Sequence, residues 1–267
     1  MNNSFCVYGI KTALIQSGDD LINHLTAACK KSACGCIKDG DILVIAESAV
    51  ATAEGREVRL ESVTPSPYAN ELGERYTLDP RIAEVVIRES DSIVGGIPGF
   101  LLCMKGGTLL PNAGVDVSNA PPGCILPLPE NPDASAQKLR NRLKAECGVN
   151  AGVIIADSRT HAMRLGCSGV AIGCSGLVSV IDERGRKDLF GRELHVTQRA
   201  VADCIASAAE LLMGEANEAV PMAVIRGFVL PLADQTGVAS IDASECLFMG
   251  IATNTNPTLF YHQRKSE

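Results

Sequence analysis

The sequence has few aromatic residues and little positive charge. It contains no Trp, six Phe and four Tyr, so an aromatic platform for sugars or bases is not expected. The 24 Lys and Arg residues are outnumbered by 31 Asp and Glu residues, which gives a net charge of −7 and a pI near 5.2. Because nucleic-acid binding depends on a basic surface, this balance argues against a nucleic-acid partner.

Long apolar runs are also missing. Charges interrupt every apolar stretch well before the ~18 residues that a membrane-spanning helix needs, so no membrane partner is expected. Residues 1–10 lack the basic segment followed by an apolar segment that marks a signal peptide. Eleven cysteines, an odd number spread along the chain, argue against a disulfide framework, and the sequence therefore predicts a cytoplasmic protein.

Cysteine spacing gives little support for a structural zinc site. Cys34 and Cys36 are close in sequence, but no second pair stands at a spacing typical of zinc ligands. Cys103, Cys174 and Cys204 lie among apolar or small residues, which predicts that they are small members of the core.

Several common catalytic motifs are absent from the sequence. It has no GxxxxGK[ST] phosphate loop and no HExxH, GxSxG or GxGxxG motif. The four histidines are far apart in sequence, so nothing indicates a serine or cysteine triad. The chemistry must therefore depend on other side chains.

Short β-branched runs and Gly-bounded apolar runs predict most of the strands. Buried strands are expected over residues 41–46 and 153–156, and a further strand over residues 221–230. Residues 91–119 alternate short apolar runs with Gly pairs, which is typical of a sheet built from hairpins. Residues 121–133 are rich in Pro and are expected to form a surface connector.

Capping residues predict three helices. Asp79 and Pro80 open one, Asp133 caps a second that Gly148 ends, and Gly214 stops a third over residues 197–213. The expected buried stripe of the third helix consists of Ala200, Val201, Cys204, Ile205, Ala208, Leu211 and Leu212.

The irregular alternation of strands and helices predicts an α+β fold with mixed and antiparallel sheets and flanking helices. One domain is expected over residues 1–250, either undivided or built from two interleaved subdomains, followed by a polar tail over residues 251–267. Five Gly residues between Gly166 and Gly176 indicate close approach of the backbone to another chain segment or to a ligand.

A small set of acids stands at unusual positions. Asp116 lies in a polar, Gly-containing stretch, Asp157 and Ser158 follow a buried strand, and Glu215 lies one residue past a helix stop. The negative end of the helix dipole disfavours a carboxylate at Glu215 unless a cation compensates. These acids are the kind of ligand that Mg²⁺ prefers, although a turn, a helix cap or simple solvation explains each of them singly.

Six sequence blocks stand in order between Tyr8 and Gly227, and three of them contain the acids named above. They are Ala53-Glu-Gly-Arg56, Asn112-Ala-Gly-Val-Asp-Val-Ser-Asn119, Ile-Ile-Ala-Asp157-Ser158, Gly185-Arg-Lys-Asp-Leu-Phe-Gly-Arg192, Leu211-Leu-Met-Gly-Glu215, and Pro221 with Val224-Ile-Arg-Gly227. Together and in this order they resemble the coenzyme F420-0:L-glutamate ligase family, the γ-glutamyl ligases of a deazaflavin coenzyme.

The resemblance implies a γ-glutamyl ligase-like fold with two intertwined subdomains, in a homodimer. It also implies a GTP-dependent ligase that forms an amide bond between L-glutamate and coenzyme F420-0 or its γ-glutamylated form. The coenzyme carboxylate would be phosphorylated to an acyl phosphate, which the glutamate amine then attacks. Two divalent ions, Mg²⁺ or Mn²⁺, would accompany the nucleotide. Such chemistry depends on positioning and charge neutralisation, which is consistent with the absence of a nucleophile motif.

The resemblance also assigns residues. Asp116 and Asp157 would bind one ion, and Ser158 and Glu215 the second, with Ser158 in place of the more usual Thr. Asp116, Asp157 and Arg164 are the expected catalytic residues, and Arg164, Arg192 and Arg226 are candidate clamps for phosphate or carboxylate. The expected nucleotide-binding residues are Gly9, Ile10, Lys11, Thr12, Glu47, Ser48, Thr52, Asn119, Met213 and Gly214.

Two departures from the family pattern leave alternatives open. Thr52 stands where the family usually carries Lys, and residues 159–162 replace a Gly-Arg-Pro segment. Both changes lie beside the expected nucleotide, which indicates a diverged member. The alternatives are a nucleotide-dependent ligase acting on another acid and amine, and a homologue that binds nucleotide or coenzyme without turnover.

Overall fold

A computed structural model describes residues 4–228 and 232–250. Backbone contacts divide the chain into two units, so that the chain leaves the first unit, builds the second and returns. The first unit comprises Met1–Gly55 and Pro129–Ala239, and the second comprises Arg56–Leu128 and Ser240–Glu267. The predicted polar tail over residues 251–267 lies outside the described residues.

The described elements confirm the α+β prediction. The strands are β1 (Cys6–Ile10), β2 (Ile42–Ala46), β3 (Val58–Arg59), β4 (Ser92–Ile97), β5 (Phe100–Lys105), β6 (Thr108–Pro111), β7 (Cys124–Ile125), β8 (Gly152–Thr160), β9 (Cys167–Leu177), β10 (Val180–Asp182), β11 (Gln198–Ala200), β12 (Met222–Arg226) and β13 (Leu232–Thr236). The helices are α1 (Leu21–Cys29), α2 (Glu47–Ala53), α3 (Pro67–Tyr76), α4 (Pro80–Glu89), α5 (Pro132–Cys147) and α6 (Val201–Met213), with 3₁₀ turns at Leu60–Ser62 and Asn112–Gly114.

The first unit is built on a six-stranded mixed sheet with the order β1-β12-β2-β8-β9-β13. Strands β2 and β8 are parallel, and the other neighbours are antiparallel. Side chains alternate between the two faces of a strand, so Leu43 and Ile45 join one apolar cluster with α1 and α5 while Val44 joins a second cluster with α6. The central strands are therefore buried on both faces.

The second unit contains the three-stranded antiparallel sheet β4-β5-β6 and the pair β3-β7. Helices α3 and α4 cover a core that includes Leu72, Val86, Leu101 and Ile125. The prediction of a hairpin-rich sheet over residues 91–119 is confirmed for β4, β5 and β6. The predicted connector over residues 121–133 is wrong in part, because β7 pairs with β3 and α5 begins at Pro132.

Helix α4 begins where the capping residues predict, since the side chain of Asp79 accepts a hydrogen bond from the amide of Arg81. The predicted cap of α5 is wrong: Asn131, not Asp133, accepts from the amide of Ala134. Asp133 instead accepts from the amide of Cys174 at 2.9 Å. The carboxylate of Asp133, which the local sequence pattern predicts as a helix cap, therefore binds β9 instead.

Helix α6 begins at Val201 rather than at residue 197, because residues 198–200 pair with β10. Gly214 ends it as predicted. Its predicted buried stripe is partly wrong: Cys204 and Leu212 are exposed and Leu211 is 84% exposed. The buried side chains are Val201, Ala202, Ile205, Ala206, Ala209 and Met213.

The remaining strand predictions are close to the structure. Strand β2 matches residues 41–46, whereas β8 extends to Thr160 because its pairing with β9 continues past Ala156. The predicted strand over residues 221–230 is β12, and residues 229–231 lie outside the described part. Cys103 and Cys174 are buried as expected. No helix among the described residues is long and apolar enough to cross a membrane.

Candidate active site

One edge of the six-stranded sheet collects many of the predicted site residues. The parallel register pairs Ala46 of β2 with Ala156 of β8, so both strands reach this edge at the same level. Glu47 and Ser48, which open α2, and Asp157 and Ser158 therefore lie at the same edge. Thr52 lies on the same short helix. The carboxyl ends of parallel strands are a common place for ligand sites in α/β sheets.

Strands β1 and β12 bring two more predicted segments to this edge. Ile10, the last residue of β1, pairs with Met222, the first residue of β12. Beyond the strand, the amide of Thr12 donates to the carbonyl of Ala219 at 3.1 Å. A Cβ on Gly9 would lie 3.0 Å from Val220 Cγ1, so glycine permits this close approach.

The end of α6 leads into the same edge. Met213 is buried, and Gly214 has a positive φ of 73° with its amide bonded to the carbonyl of Glu210. The chain then passes through residues 215–220 to β12. The predicted nucleotide-binding residues of the first unit thus lie on or directly after three elements, β1, α2 and α6. This edge is here called the acidic edge, for the carboxylates described next.

The end of β8 presents Asp157 and Ser158 to opposite faces of the strand, since side chains alternate. Asp157 Oδ2 accepts from Arg159 Nε at 2.8 Å, and both side chains are mostly buried, at 14% and 11% exposure. Ser158 Oγ donates to Glu215 Oε2 at 2.9 Å. Because Asp157 and Ser158 face opposite sides of β8, their positions are compatible with the expectation that they bind different ions.

Sequence reasoning missed a third carboxylate, Glu210. It lies on α6 against Gly169 of β9, where an added Cβ would come within 2.7 Å of its Oε2. That oxygen is buried and has no hydrogen-bond partner among the described residues. Burial, followed by the hydrogen bond with Glu215 and the charges of Glu215 and Asp157, raises the pKa of Glu210 to about 8.

The neighbouring contacts hold α6 firmly on β9. Ser207 Oγ donates to the carbonyl of Gly169 at 2.7 Å, and Asp203 Oδ1 accepts from the amide of Ala171 at 2.9 Å. The Gly-rich segment permits these approaches, which confirms the expectation that it lies against another chain segment. The sequence signal that could have indicated Glu210 is an acid that follows a run of small residues on α6.

In the second unit, Asp116 lies in a tightly turned loop. Its Oδ1 accepts from the amides of Val117 and Ser118, at 2.7 and 2.9 Å. Asn112 and the buried Ala113 have positive φ values of 48° and 52°, a conformation that costs non-glycine residues energy and is concentrated at functional sites. Asn119 is exposed in the same loop. The ion expected for Asp116 and Asp157 together stays a prediction.

The three candidate arginine clamps differ in position. Arg164 is exposed in the turn between β8 and β9, and Arg192 is exposed in the segment between β10 and β11. The interpretation of Arg226 as a clamp is wrong, because it pairs with Asp41 at 2.6 Å at the opposite edge of the sheet. Its role is structural, whereas those of Arg164 and Arg192 stay predictions.

The donors at the acidic edge are carboxylate and hydroxyl oxygens, which suit hard ions such as Mg²⁺ and Mn²⁺. The unpartnered buried oxygen of Glu210 also fits a bound cation. Within residues 4–228 and 232–250, no three His, Cys, Asp or Glu side chains are already arranged around an ion position. Ions there would therefore complete their coordination with Ser158, phosphate oxygens and water, as Mg²⁺ commonly does.

Comparisons with known proteins point to one family. The family model described as F420-0:Gamma-glutamyl ligase matches residues 9–227. The chain is 46% identical over 214 residues to the coenzyme F420:L-glutamate ligase of Methanopyrus kandleri, covering 80% of this chain and 82% of that one. It is 40% identical over 232 residues to the protein of the same name from Archaeoglobus fulgidus, covering 87% and 90%.

The protein is thus an amide-bond-forming ligase. More particularly, the chain belongs to the F420-0:gamma-glutamyl ligase family, which confirms the resemblance inferred from its sequence blocks.

Proposed function

We propose that this ligase joins L-glutamate to coenzyme F420-0, or to its γ-glutamylated form, with GTP as co-substrate and two Mg²⁺ or Mn²⁺ ions. The names of its relatives support the two substrates. The observation that carries the proposal is the acidic edge, where the predicted nucleotide residues of the first unit meet Asp157, Ser158 and Glu215.

The reaction has two steps. A carboxylate oxygen of the coenzyme attacks the γ-phosphorus of GTP, the bond to the β-phosphate oxygen breaks, and an acyl phosphate and GDP form. The glutamate α-amine then attacks the acyl carbon, phosphate leaves with the bonding electron pair, and the amine releases a proton to solvent or to a base. Net, one GTP and one glutamate are consumed for each amide bond and each phosphate released.

In this proposal Asp157 would hold one ion, and Ser158 and Glu215 would hold the other. Ions at these positions would neutralise phosphate charge during transfer. The segment from Gly9 to Thr12, at the end of β1, and the start of α2 at Glu47 and Ser48 orient the nucleotide. Asp116 and Asn119 contribute from their loop, and Arg164 binds an anionic group of a substrate.

Arg159 neutralises Asp157 when no ion is bound. Both side chains are mostly buried, and the Nε to Oδ2 contact is a charge-assisted hydrogen bond. The arginine therefore holds the Asp157 carboxylate in place at the position where an ion would bind.

The same proposal includes a homodimer. The segment between β10 and β11 exposes Leu189 completely and Phe190 at 84%, and the turn after β8 exposes Met163 and Leu165 completely. Such apolar groups at projecting turns fit the surface of a second copy better than water. Light scattering after gel filtration should give twice the mass of 28.1 kDa, whereas a monomer at micromolar concentration would contradict this part.

The ligase proposal is tested by incubating the protein with GTP, Mn²⁺, L-glutamate and coenzyme F420-0, and analysing the products by mass spectrometry. The expected result is GDP and glutamylated coenzyme in equal amounts, with no glutamylated coenzyme when glutamate is omitted and neither product when the coenzyme is omitted. Failure to form either product under these conditions would contradict the proposal.

A second candidate is an amide ligase that uses another acid, amine or nucleotide. Thr52 and the bond between Arg159 and Asp157 favour it, because both place unusual groups beside the expected nucleotide. Phosphate release measured over a panel of nucleoside triphosphates and amino acids separates the two. A preference for a nucleotide other than GTP would favour this candidate. Tight nucleotide binding without any turnover would indicate the non-catalytic homologue.

A further inference from the structure

Glu210 stands where a cation is needed and none is supplied by the described chain. It lies on α6 one helical turn before Gly214, and its carboxyl group is close enough to that of Glu215 for the two to interact. Two neighbouring carboxylates repel each other unless a positive charge lies between them. No Lys or Arg side chain within the described residues pairs with either group.

The surroundings of Glu210 fix its carboxylate rather than letting it turn to water. Its Oε2 is buried without a partner, and an added Cβ on Gly169 would meet both this oxygen and the backbone of Ala206. A buried acceptor without a partner destabilises the fold, and a charged one does so more strongly. The fold therefore tolerates an unfavourable carboxylate at this point.

Ser158 and Gly169 are direct partners across β8 and β9, so they share the face that carries Glu210. Ser158 Oγ contacts Glu215 Oε2 at 2.9 Å on this face. A hydroxyl and two carboxyl groups, from β8, from α6 and from the segment after it, thus form a chain of contacts. Asp157 belongs to the opposite face of β8.

We infer that Glu210 is a further ligand of the divalent ion expected at Ser158 and Glu215, so that this ion is held by three side-chain oxygens rather than two. The inference rests on the proposed function only for the presence of the ion. It adds a residue from α6 to the ligand set, and it gives the unpartnered Oε2 its partner.

The test is Mn²⁺ binding to the full chain without nucleotide or substrate, followed by the electron paramagnetic resonance signal of free Mn²⁺. Replacing Glu210→Gln keeps the shape of the side chain and removes its charge. We expect at least about tenfold weaker binding at one site, in the range seen when groups that support a metal are lost. Glu215→Gln should weaken the same site.

The matched control is Asp203→Asn on the same helix. Asp203 contacts β9 through the amide of Ala171, a bond that an Asn oxygen can also accept. Mn²⁺ affinity should stay within about twofold of the wild type, since no ligand is lost. Should Glu210→Gln fail to fold, Glu210→Asp keeps the charge on a shorter side chain and should bind Mn²⁺ more weakly than the wild type.

Unchanged Mn²⁺ affinity and stoichiometry in Glu210→Gln would overturn the inference, as would a wild-type chain that binds no Mn²⁺. The outcome is separable from that of the ligase assay. Mn²⁺ binding that depends on Glu210 in a protein that makes no glutamylated coenzyme would sustain the inference and contradict the proposed function. If the wild type makes glutamylated coenzyme and Glu210→Gln binds Mn²⁺ as the wild type does, the proposed function is supported and this inference is contradicted.

Discussion

The two edges of the six-stranded sheet each bury carboxylate oxygens, but the partners of those oxygens differ. At the edge where β2 begins, Asp41 is buried and accepts from Arg226 at 2.6 and 2.8 Å and from the amide of Lys38 at 2.8 Å. At the acidic edge, Glu210 has an unpartnered oxygen and contacts another carboxyl group, that of Glu215. One acid is fully satisfied, and the other is left in need of a positive charge.

This difference separates an acid that holds the fold from acids that serve a ligand. A buried carboxylate with an arginine and an amide around it is electrostatically complete and leaves nothing for a substrate to add. Carboxyl groups placed against each other destabilise the empty protein and favour a bound cation. The account therefore predicts stability effects at the first edge and binding effects at the second.

The largest expected effect is on stability at the Asp41 edge. Asp41→Asn removes the charge that faces the guanidinium of Arg226, and should lower the free energy of unfolding by about 3 kcal/mol. Urea unfolding measures this, and the ligation rate per folded molecule should not change. Asp39→Asn is the control, because its exposed oxygen can still accept from the amide of Asn150 and stability should change by less than about 0.5 kcal/mol.

The next effect is on catalysis at the acidic edge. Glu215→Gln should reduce kcat for ligation about 100-fold, since a lost ion removes several kcal/mol of charge stabilisation. Stability should change by less than about 0.5 kcal/mol because the side chain is exposed. The control Glu146→Gln removes a charge from α5 on the other face of the sheet. Equal losses of activity in both variants would remove the contrast between the two edges.

A smaller effect tests the shortage of cations at the acidic edge. Thr52→Lys should lower the KM for GTP about fivefold, because one charge near a phosphate at an exposed site gives about 1 kcal/mol. Initial rates over a range of GTP concentrations measure it. Thr52→Gln, which is long but neutral, should give no gain. If Lys gives none either, Thr52 does not set nucleotide affinity.

The smallest effect concerns a partnered acid nearer the surface. The hydrogen bond from Arg142 lowers the pKa of Asp20 from 3.8 to about 2. The folded pKa lies below the unfolded one, so the pair stabilises the fold above pH 4 and this contribution is lost as the pH falls through 2. Because the side chains are about one third exposed, the loss should be under about 1 kcal/mol. Urea unfolding of the wild type and Asp20→Asn between pH 5 and 2 measures it. An unchanged difference over this range would contradict it.

The local sequence pattern predicted the structure correctly where contacts between neighbouring residues determine it. The short β-branched run predicted β2, Asp79 and Pro80 predicted the start of α4, and Gly214 predicted the end of α6. Each depends on a few neighbouring residues, through a cap, a fixed backbone angle or a buried strand. The Gly-rich segment also predicted a close approach, although its partner was unknown until the structure placed α6 there.

The local sequence pattern gave wrong predictions where contacts with a distant segment of the chain determine the structure. Asp133 was predicted to cap α5, but the amide of Cys174 takes its carboxylate. The start of α6 was misplaced because pairing with β10 extends to Ala200. Glu210 was missed because its environment comes from Gly169 and Glu215 across the fold. For the candidate site, the resemblance named the acids and nucleotide residues, whereas the sheet register brought those of the first unit to one edge.

The most direct test of the account is the dependence of ligation on divalent ions. The protein is treated with EDTA, transferred to metal-free buffer, and assayed for glutamylated coenzyme while Mn²⁺ is titrated in. The account predicts no product without Mn²⁺, a saturable return of activity, and a shift of that titration to higher Mn²⁺ in Glu215→Gln. Full ligation in the continued presence of EDTA would contradict it.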